Sequence, residues 1–183
     1  MKILIGLGNP GPEYQLTRHN VGFMFLDFML EKLQITPEWK FEKKFKAWIQ
    51  NITLGDTPLL LVKPKTYMNL SGHAANSVVA FYKTEPADTI IVFDDIDLPL
   101  GTIRIKNSGT AGTHNGMKSI IQELGSTAFP RLKIGIESRG IHAPEKQDLS
   151  SFVLHNFTPP ELQELEAIFN EAFTKLQEHI TLA

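Results

Sequence analysis

Asn9 and His19, near the start of the chain, are the first residues whose types and spacing could perform chemistry. They lie ten positions apart within residues 6–22, a segment that reads GLGNPGPEYQLTRHNVG. An imidazole titrates near neutral pH and can take a proton from water, and an amide can donate a hydrogen bond without adding charge. Because a lone histidine is more often a packed or surface residue than a catalyst, this interpretation requires further partners.

Asp94 is the carboxylate that could orient His19. It directly follows residues 89–93 (TIIVF), which have the clearest buried-strand pattern in the chain, so we expect it at the carboxyl end of a strand. Ligand sites in open α/β sheets lie at those ends. A carboxylate in that position can fix the tautomer of an imidazole and stabilise the imidazolium that forms during a reaction.

Three asparagines, Asn9, Asn69 and Asn115, lie where predicted strands end or helices begin. Taken one at a time, each is typical of a turn, which is where asparagine is most often found. Together they could offer neutral donors and acceptors to a peptide-like substrate. Neutral polar groups of this kind suit an amide backbone better than a phosphate.

Gly6, Gly8 and Gly11 have the G-x-G-x-x-G spacing of a dinucleotide-binding loop, and they follow a predicted strand. Two details contradict that function. Pro10 and Pro12 lack the backbone N–H groups that would hold a pyrophosphate. The acids about twenty residues further on fall inside a predicted helix, whereas a ribose-binding acid should end a second strand. We therefore expect no nucleotide cofactor.

Asp94, Asp95 and Asp97 raise the alternative of a magnesium site, since hard cations prefer carboxylate ligands. If the strand persisted through these residues, Asp95 and Asp97 would share one face and Asp94 the other, so a single ion would need a local bend. A turn-rich acidic loop explains the same residues without a metal. A metal-dependent esterase or nuclease stays an open but less favoured alternative, and we assign no metal ligand.

Strand patterns alternate with helical patterns along the chain, which predicts an α/β fold. We expect a single domain over residues 1–183, with a mixed, mostly parallel, twisted sheet and helices on both faces. Residues 138–157 form a mixed segment that could be a mobile lid. The predicted strands are residues 2–5, 39–54, 59–62, 89–93, 102–106 and 131–137, and the predicted helices are residues 21–33, 72–82 with Ser71 as N-cap, 116–124 and 158–180.

Size and composition restrict the class of protein. With 183 residues, 42% of them hydrophobic, the chain can bury the core of one ordinary domain. It has no cysteine, which excludes a disulfide framework, a thiolate zinc site and a cysteine nucleophile. No apolar run approaches the ~20 residues of a membrane span, and the start lacks a signal-peptide pattern, so we expect a soluble, cytoplasmic protein.

The net charge of −2 argues against indiscriminate binding of nucleic acid, but the basic residues are unevenly distributed. Residues 101–133 contain five lysines and arginines against the single acid Glu123. This local basic patch could still bind the phosphates of a specific RNA. Its members are Arg104, Lys106, Lys118, Arg131 and Lys133.

Four segments of the chain resemble those of bacterial peptidyl-tRNA hydrolases. In chain order they are residues 6–22 (given above), 63–72 (KPKTYMNLSG), 94–101 (DDIDLPLG) and 109–120 (GTAGTHNGMKSI). Four long motifs in the same order and at consistent spacing make a specific signal. The resemblance extends from residue 3 to about residue 157, and the final helix fits more loosely.

The resemblance implies hydrolysis, without a cofactor, of the ester that joins a peptide to the 3′-terminal ribose of tRNA. His19 matches the catalytic base of the family, Asp94 its orienting acid, and Asn9 the amide that positions water or the scissile carbonyl. Direct attack by water would explain why no serine or cysteine nucleophile is found. Residues that match substrate-binding positions are Tyr14, Met68, Asn69 and Asn115, and those that match tRNA phosphate contacts are Lys106 and Lys133.

Two positions depart from the family pattern. Lys133 stands where some members have arginine, which keeps the charge but loses bidentate geometry. Thr113 stands where glycine is usual, which would stiffen the loop before His114. The expected partner is peptidyl-tRNA, bound by a monomer without an obligate protein partner or a membrane. The alternative is a non-catalytic RNA- or protein-binding module on the same fold.

Overall fold

The computed structural model describes residues 1–140 and 149–182, which contain one seven-stranded sheet and five α-helices. The strands are β1 (Lys2–Gly6), β2 (Lys40–Glu42), β3 (Ala47–Leu54), β4 (Thr57–Pro64), β5 (Thr89–Pro99), β6 (Ile103–Lys106) and β7 (Arg131–Glu137). The helices are α1 (Val21–Lys32), α2 (Ser71–Tyr82), α3 (Asn115–Leu124), α4 (Leu149–Leu154) and α5 (Pro159–Leu182). Short 3₁₀ turns lie at Pro12–Tyr14, Arg18–Asn20, Met68–Leu70 and Pro86–Asp88.

The sheet has the strand order β2-β3-β4-β1-β5-β7-β6. Its four central strands, β4, β1, β5 and β7, run parallel to one another. The outer strands pair antiparallel, β3 with β4, β2 with β3, and β6 with β7. The expected α/β class with a mixed sheet that is parallel in its centre is confirmed.

Alternate residues of the central strands pack against helices on opposite faces of the sheet. In β1, Leu4 belongs to the core shared with α1 and α5, whereas Ile3 and Ile5 belong to the core shared with α2 and α3. All three side chains are fully buried. Because side chains alternate along a strand, a continuous apolar run such as β1 requires cover on both faces, and the helices provide it.

β1 ends earlier than β5, and this difference leaves one edge of β5 without a paired strand. Gly6 at the end of β1 pairs with Val92, while β5 continues through Asp94 and Asp95 to Pro99. The prediction that the strand ends at residue 93 was wrong, because β7 continues to pair with these acids on the other side. Asp94 therefore has fixed strand geometry next to an open gap beyond β1.

The predicted single strand over residues 39–54 is also wrong, since β2 and β3 form a hairpin around a turn at residues 43–46. Lys46 in this turn has a positive φ of 49°. Phe45 is only 2% exposed and packs against Phe81 and Tyr82. Because this turn residue faces the core, the sequence of the turn shows the alternation of apolar and polar residues that is typical of a strand.

Ser71 is not the N-cap of α2. The 3₁₀ turn at Met68–Leu70 runs directly into the helix, so that Leu70 occupies the cap position and Ser71 is already helical. Its hydroxyl is buried and has no hydrogen-bond partner among the described residues. Because the 3₁₀ turn leads into the helix, α2 begins at Ser71, one residue earlier than predicted.

Residues 141–148, which belong to the expected mobile segment at 138–157, lie outside the described residues, and the expectation of mobility stays a prediction. The part of that segment at Leu149–Leu154 is helical. Within the described ranges, 1–140 and 149–182, no helix combines the length and the apolar character that a membrane span requires.

Arg18 joins the first loop to the junction between α4 and α5. Its Nη2 lies 2.7 Å from a carboxylate oxygen of Glu161, and both side chains are less than 10% exposed. Its Nη1 donates to the backbone oxygens of His155 and Asn156, and the guanidinium lies over the ring of Phe152. Since Arg18 immediately precedes His19, this contact also fixes the turn that carries the imidazole.

We predict that Arg18→Met lowers the free energy of unfolding by about 3–5 kcal/mol, because Glu161 would remain buried without its cation. Denaturation in guanidinium chloride would measure the change. Lys175→Met is the control, since Lys175 pairs with Glu171 on the surface of α5 and such pairs contribute about 0.3–0.5 kcal/mol. A loss below about 1 kcal/mol for Arg18→Met would contradict the importance of this pair.

Candidate active site

A cleft of about 480 Å³ opens at the carboxyl ends of the central strands. It lies between the residues that follow β1 and β4, the part of β5 that extends beyond β1, the loop before α3, and α4. This is the edge at which open α/β sheets bind ligands. Among its lining residues are Asn9, His19, Met68, Asn69, Asp94 and Asn115.

The two ends of the first loop are held together by a close approach of glycines. A Cβ atom built on Gly6 would lie 2.5 Å from the backbone oxygen of Gly22, and a Cβ on Gly22 would lie 2.5 Å from the backbone oxygen of Val92. Only glycine allows the start of α1 to pack this tightly on the ends of β1 and β5. This packing brings Asn9 and His19 to the same cleft.

His19 and Asp94 form a buried hydrogen-bonded pair. The Nδ1 atom of His19 lies 2.9 and 3.0 Å from the two carboxylate oxygens. Burial lowers the pKa of His19, but the charge and hydrogen bond of Asp94 outweigh burial and raise that pKa above its usual 6.5. The Nε2 atom of His19 has no hydrogen-bond partner among the described residues, and His19 lines the cleft.

Asp94 also binds a second imidazole, which the sequence analysis did not assign. The Nε2 atom of His114 lies 2.9 Å from Asp94 Oδ1, and its Nδ1 accepts the backbone N–H of Met117 in the first turn of α3. A neutral ring that accepts at Nδ1 carries its proton on Nε2, so His114 donates to Asp94. Burial raises the pKa of Asp94, but the two imidazoles outweigh it and hold that pKa well below its usual range.

The side chain of Asn9 is held in one orientation. Its Oδ1 accepts the backbone N–H of Met68 at 2.8 Å, which assigns Nδ2 as the remaining donor. The backbone of Asn9 is fixed as well, because Asn20 accepts its N–H and donates to its carbonyl oxygen, each at 2.9 Å. Asn9 is only 6% exposed. It therefore presents a rigid hydrogen-bond donor.

The ligand atoms of His19, Asp94 and His114 lie within 4.8 Å of one another, close enough to hold a metal ion. The hydrogen bonds described above already use these atoms, since each imidazole N–H is directed at a carboxylate oxygen. The carboxylates of Asp94, Asp95 and Asp97, the acids of the predicted acidic loop, do not converge on one point. Asp95 instead forms an ion pair with Lys133 at 2.5 Å, while Asp97 is exposed.

Comparison with known proteins adds the family to this geometry. The model of the family described as "Peptidyl-tRNA hydrolase" matches residues 3–182. The peptidyl-tRNA hydrolase of Thermotoga petrophila is 49% identical over 91% of this chain and 84% of its own length. The enzyme of Alkaliphilus metalliredigens is 46% identical over 88% of this chain and 83% of its own length.

The chain belongs to the peptidyl-tRNA hydrolase family. The resemblance to bacterial peptidyl-tRNA hydrolases and the predicted enzyme class are therefore confirmed. The fold agrees with a crystal structure of the peptidyl-tRNA hydrolase from Acinetobacter baumannii, with a TM-score of 0.84 at 33% identity over the whole of this chain and 91% of that chain.

The structure places the other residues that match substrate-binding positions of peptidyl-tRNA hydrolases at or near the cleft. Met68, Asn69 and Asn115 line it. Tyr14 is not among the lining residues, and its ring lies edge-on to that of Tyr67, with 6.4 Å between centroids. Tyr67 lines the cleft, so Tyr14 contacts the cleft wall through this ring.

The basic residues expected to contact tRNA have different surroundings. Lys133 lines the cleft and is paired with Asp95, so its charge is largely compensated. Lys106 is exposed at the end of β6 and forms no ion pair among the described residues. Lys118 is exposed on α3, 3.5 Å from Asn115 Oδ1, and Arg104 is exposed on β6.

Three residues that hold this site together were not predicted: Arg18, Asn20 and His114. Each of them directly precedes or follows a residue that was predicted, within TRHN or THNG. Adjacency within a motif of the peptidyl-tRNA hydrolase family was thus the available signal. The partners that join them to the site are eleven or more residues away along the chain and could not be identified from the sequence: Asn9 for Asn20, Asp94 for His114 and Glu161 for Arg18.

We predict that Asp94→Asn lowers the pKa of His19 to below 6.5, because burial then acts on the imidazole without an opposing carboxylate. In the unmodified protein the same pKa should lie above 6.5. Titration of the imidazole resonances by NMR would measure both values. His179, near the end of α5, has a pKa lowered by burial and should not change. If the pKa of His19 stayed above 6.5 in the variant, Asp94 would not be the group that raises it.

Proposed function

We propose that the cleft hydrolyses the ester between a peptide and the 3′-terminal ribose of tRNA, with His19 as the general base. Peptidyl-tRNA hydrolysis is the activity of the family to which the chain belongs. The observation that carries the assignment of the base is the hydrogen bond from His19 Nδ1 to Asp94, which leaves Nε2 available at the cleft. Water can bind there and lose a proton to the imidazole.

The proposed reaction proceeds through direct attack by water. His19 Nε2 removes one proton, the water oxygen bonds to the ester carbonyl carbon, and the carbonyl oxygen becomes negatively charged. Collapse of this intermediate breaks the bond to the ribose oxygen, which takes the proton from the imidazolium. Asp94 stabilises the imidazolium during both proton transfers, and His114 holds the carboxylate in place. A positioned base of this kind contributes about 10²- to 10⁴-fold to the rate.

Asn9 is better suited to the carbonyl oxygen than to the role of acceptor for the attacking water. Its acceptor atom is occupied by the N–H of Met68, so only Nδ2 remains, and Nδ2 can donate but not accept. A donor directed at the developing negative charge contributes about 10²- to 10³-fold. Asn20, which brackets the backbone of Asn9, keeps this donor in position without touching the substrate.

Asn69 and Asn115 support a preference for a blocked amino group. Both amides line the cleft and carry no charge. We propose that they hydrogen-bond to the main chain of the peptide and to the 3′ end of the RNA. A free aminoacyl group would place a charged amine where a neutral amide is expected, and an amide that the bound substrate buries without a hydrogen-bond partner costs about 1–3 kcal/mol.

Lys106 is the stronger of the two proposed phosphate contacts. It is exposed and has no carboxylate partner among the described residues, whereas Lys133 must leave Asp95 to bind an anion.

We also propose that the chain is cytoplasmic, since its proposed substrate forms during translation. We propose further that it is a monomer and requires no protein partner. Light scattering on the purified protein would test the oligomeric state.

The mechanism predicts that His19→Ala lowers kcat by about 10²- to 10⁴-fold, because the base is lost. Binding of deacylated tRNA should stay within about twofold, since the base makes no phosphate contact. Release of N-acetyl-amino acid from N-acetyl-aminoacyl-tRNA would measure the first quantity, and a filter-binding assay the second. A wild-type rate for the variant would exclude His19 as the base.

The same assay separates the alternative functions. An RNA-binding module would bind tRNA without turnover of the ester by the unmodified protein. A metal-dependent esterase or nuclease would lose activity in EDTA, whereas the proposed mechanism gives the same rate with and without the chelator.

Lys106→Ala should weaken tRNA binding several-fold and reduce by about 1 the slope of log K against log salt concentration, because one phosphate contact is removed. The kcat of the ester hydrolysis should not change. Lys32→Ala, a change of the same charge on α1, serves as the control. An unchanged salt slope for Lys106→Ala would exclude a phosphate contact at this position.

A further inference from the structure

A group of lysines on the β2–β3 side of the sheet has no acidic partner within residues 1–140 and 149–182. We call Lys43, Lys44, Lys46 and Lys65, with the rings of Phe41 and Phe81, the basic hairpin surface. All four lysines are exposed, and none pairs with a carboxylate among the described residues. The nearest acid in the hairpin, Glu42, is paired with Lys40 at 2.8 Å. The surface thus carries four positive charges that form no ion pair within the described part of the chain.

Exposed lysines on a sheet often protect an edge strand, but this does not account for the lysines of the basic hairpin surface. Charged side chains on an edge strand prevent pairing with another sheet. Lys43, Lys44 and Lys46 instead belong to the turn between β2 and β3, and Lys65 follows the end of β4. β2 is an edge strand, but these lysines lie beyond the ends of the strands and not along its free edge.

Two exposed aromatic rings hold lysine side chains in fixed places. Phe41 is 42% exposed and Phe81 is 54% exposed. The ammonium of Lys44 lies 3.5 Å from the centroid of the Phe81 ring, and that of Lys65 lies 4.7 Å from the centroid of the Phe41 ring. Cation–π contacts of this kind orient the ammonium groups, and they leave part of each ring open to a ligand.

The basic hairpin surface lies at the same edge of the sheet as the cleft. The backbone N–H of Lys65 donates to the carbonyl oxygen of Lys46 at 2.7 Å, next to the pairing of Ala47 with Pro64 at the carboxyl end of β4. Two residues after Lys65, Tyr67 lines the cleft and is 56% exposed. Along the chain, Thr66 alone therefore separates Lys65 from the lining of the cleft.

The order of the strands decides which part of the substrate passes this surface. The proposed phosphate contacts, Lys106 and Lys133, lie on β6 and β7, on one side of β5. The basic hairpin surface begins at β3, on the other side of β5. If the ester lies at His19 and the RNA lies over β6 and β7, the side of β5 that faces β3 is left for the peptide.

We propose that the basic hairpin surface binds acidic side chains in the peptide of peptidyl-tRNA, at positions about four or more residues from the ester. β3 is three strand spacings from β5, which is about 14 Å, and an extended peptide covers ~3.3 Å per residue. Carboxylates of the peptide pair with the ammonium groups, and its apolar side chains contact the two rings. The proposal rests on the function proposed above and adds a preference among its substrates.

The test uses two N-acetyl-hexapeptidyl-tRNAs that share the same tRNA and the same three residues next to the ester. One substrate carries glutamate at positions four to six from the ester, and the other carries lysine there. We expect kcat/KM to be on the order of tenfold higher for the glutamate substrate at low salt, since each exposed charge pair contributes about 1.4- to fivefold. The preference should decrease as salt is added. N-acetyl-aminoacyl-tRNA serves as a substrate that is too short to reach the surface.

The variant Lys43→Glu/Lys46→Glu should abolish or invert this preference and leave hydrolysis of N-acetyl-aminoacyl-tRNA unchanged. Lys32→Glu/Lys175→Glu is the matched control, because it makes the same change of charge on α1 and α5 and should keep the preference. Far-ultraviolet circular dichroism of both variants would show that they are folded.

Three outcomes overturn the proposal. Equal kcat/KM for the two hexapeptidyl substrates, with normal hydrolysis of the short one, removes the peptide preference and leaves the proposed function intact. A hairpin variant that slows all three substrates and weakens the binding of deacylated tRNA shows that the surface contacts RNA instead. Failure of the unmodified protein to hydrolyse the short substrate overturns the proposed function, and this proposal with it.

Discussion

The carboxylate of Asp94 is the group on which the site and much of the surrounding structure depend. It is only 2% exposed, and a buried charge is tolerated only when it is paired and hydrogen-bonded. His19 comes from the turn before α1 and His114 from the cap of α3, so one carboxylate joins three separate elements. The contact that compensates the charge is the same contact that raises the pKa of His19, the proposed base.

The sheet provides this carboxylate with a place to act because neighbouring strands end at different levels. β1 stops at Gly6 while β5 continues, and the gap beyond β1 is where the first loop folds back. The contact between Gly6 and Gly22 closes that loop without side chains. Rigid packing of backbone on backbone thus positions Asn9 and His19, which accords with the need of a catalytic site for fixed distances.

Much of this arrangement could be predicted from the sequence, because its elements follow local patterns. The periodicity of apolar residues indicated most helices and strands, and strand ends indicated where Asn9, His19 and Asp94 would meet. The features that were missed depend on pairing between distant segments. β7 extends β5 beyond residue 93, and Phe45 turns inward from a hairpin that resembled one strand. The role of His114 depends on which of its nitrogens accepts a hydrogen bond, and no sequence pattern encodes that choice.

The proline after Asn9 has a consequence for the chemical lifetime of the protein. Asparagine deamidates when the backbone nitrogen of the next residue loses its proton and attacks the side-chain carbonyl. Pro10 has no proton on that nitrogen, so this route is closed to the amide that is held against Met68. Asn115, by contrast, is exposed and precedes Gly116, the least hindered of neighbours. The amide proposed as the oxyanion donor is therefore protected from this route, whereas the lining amide of Asn115 is not.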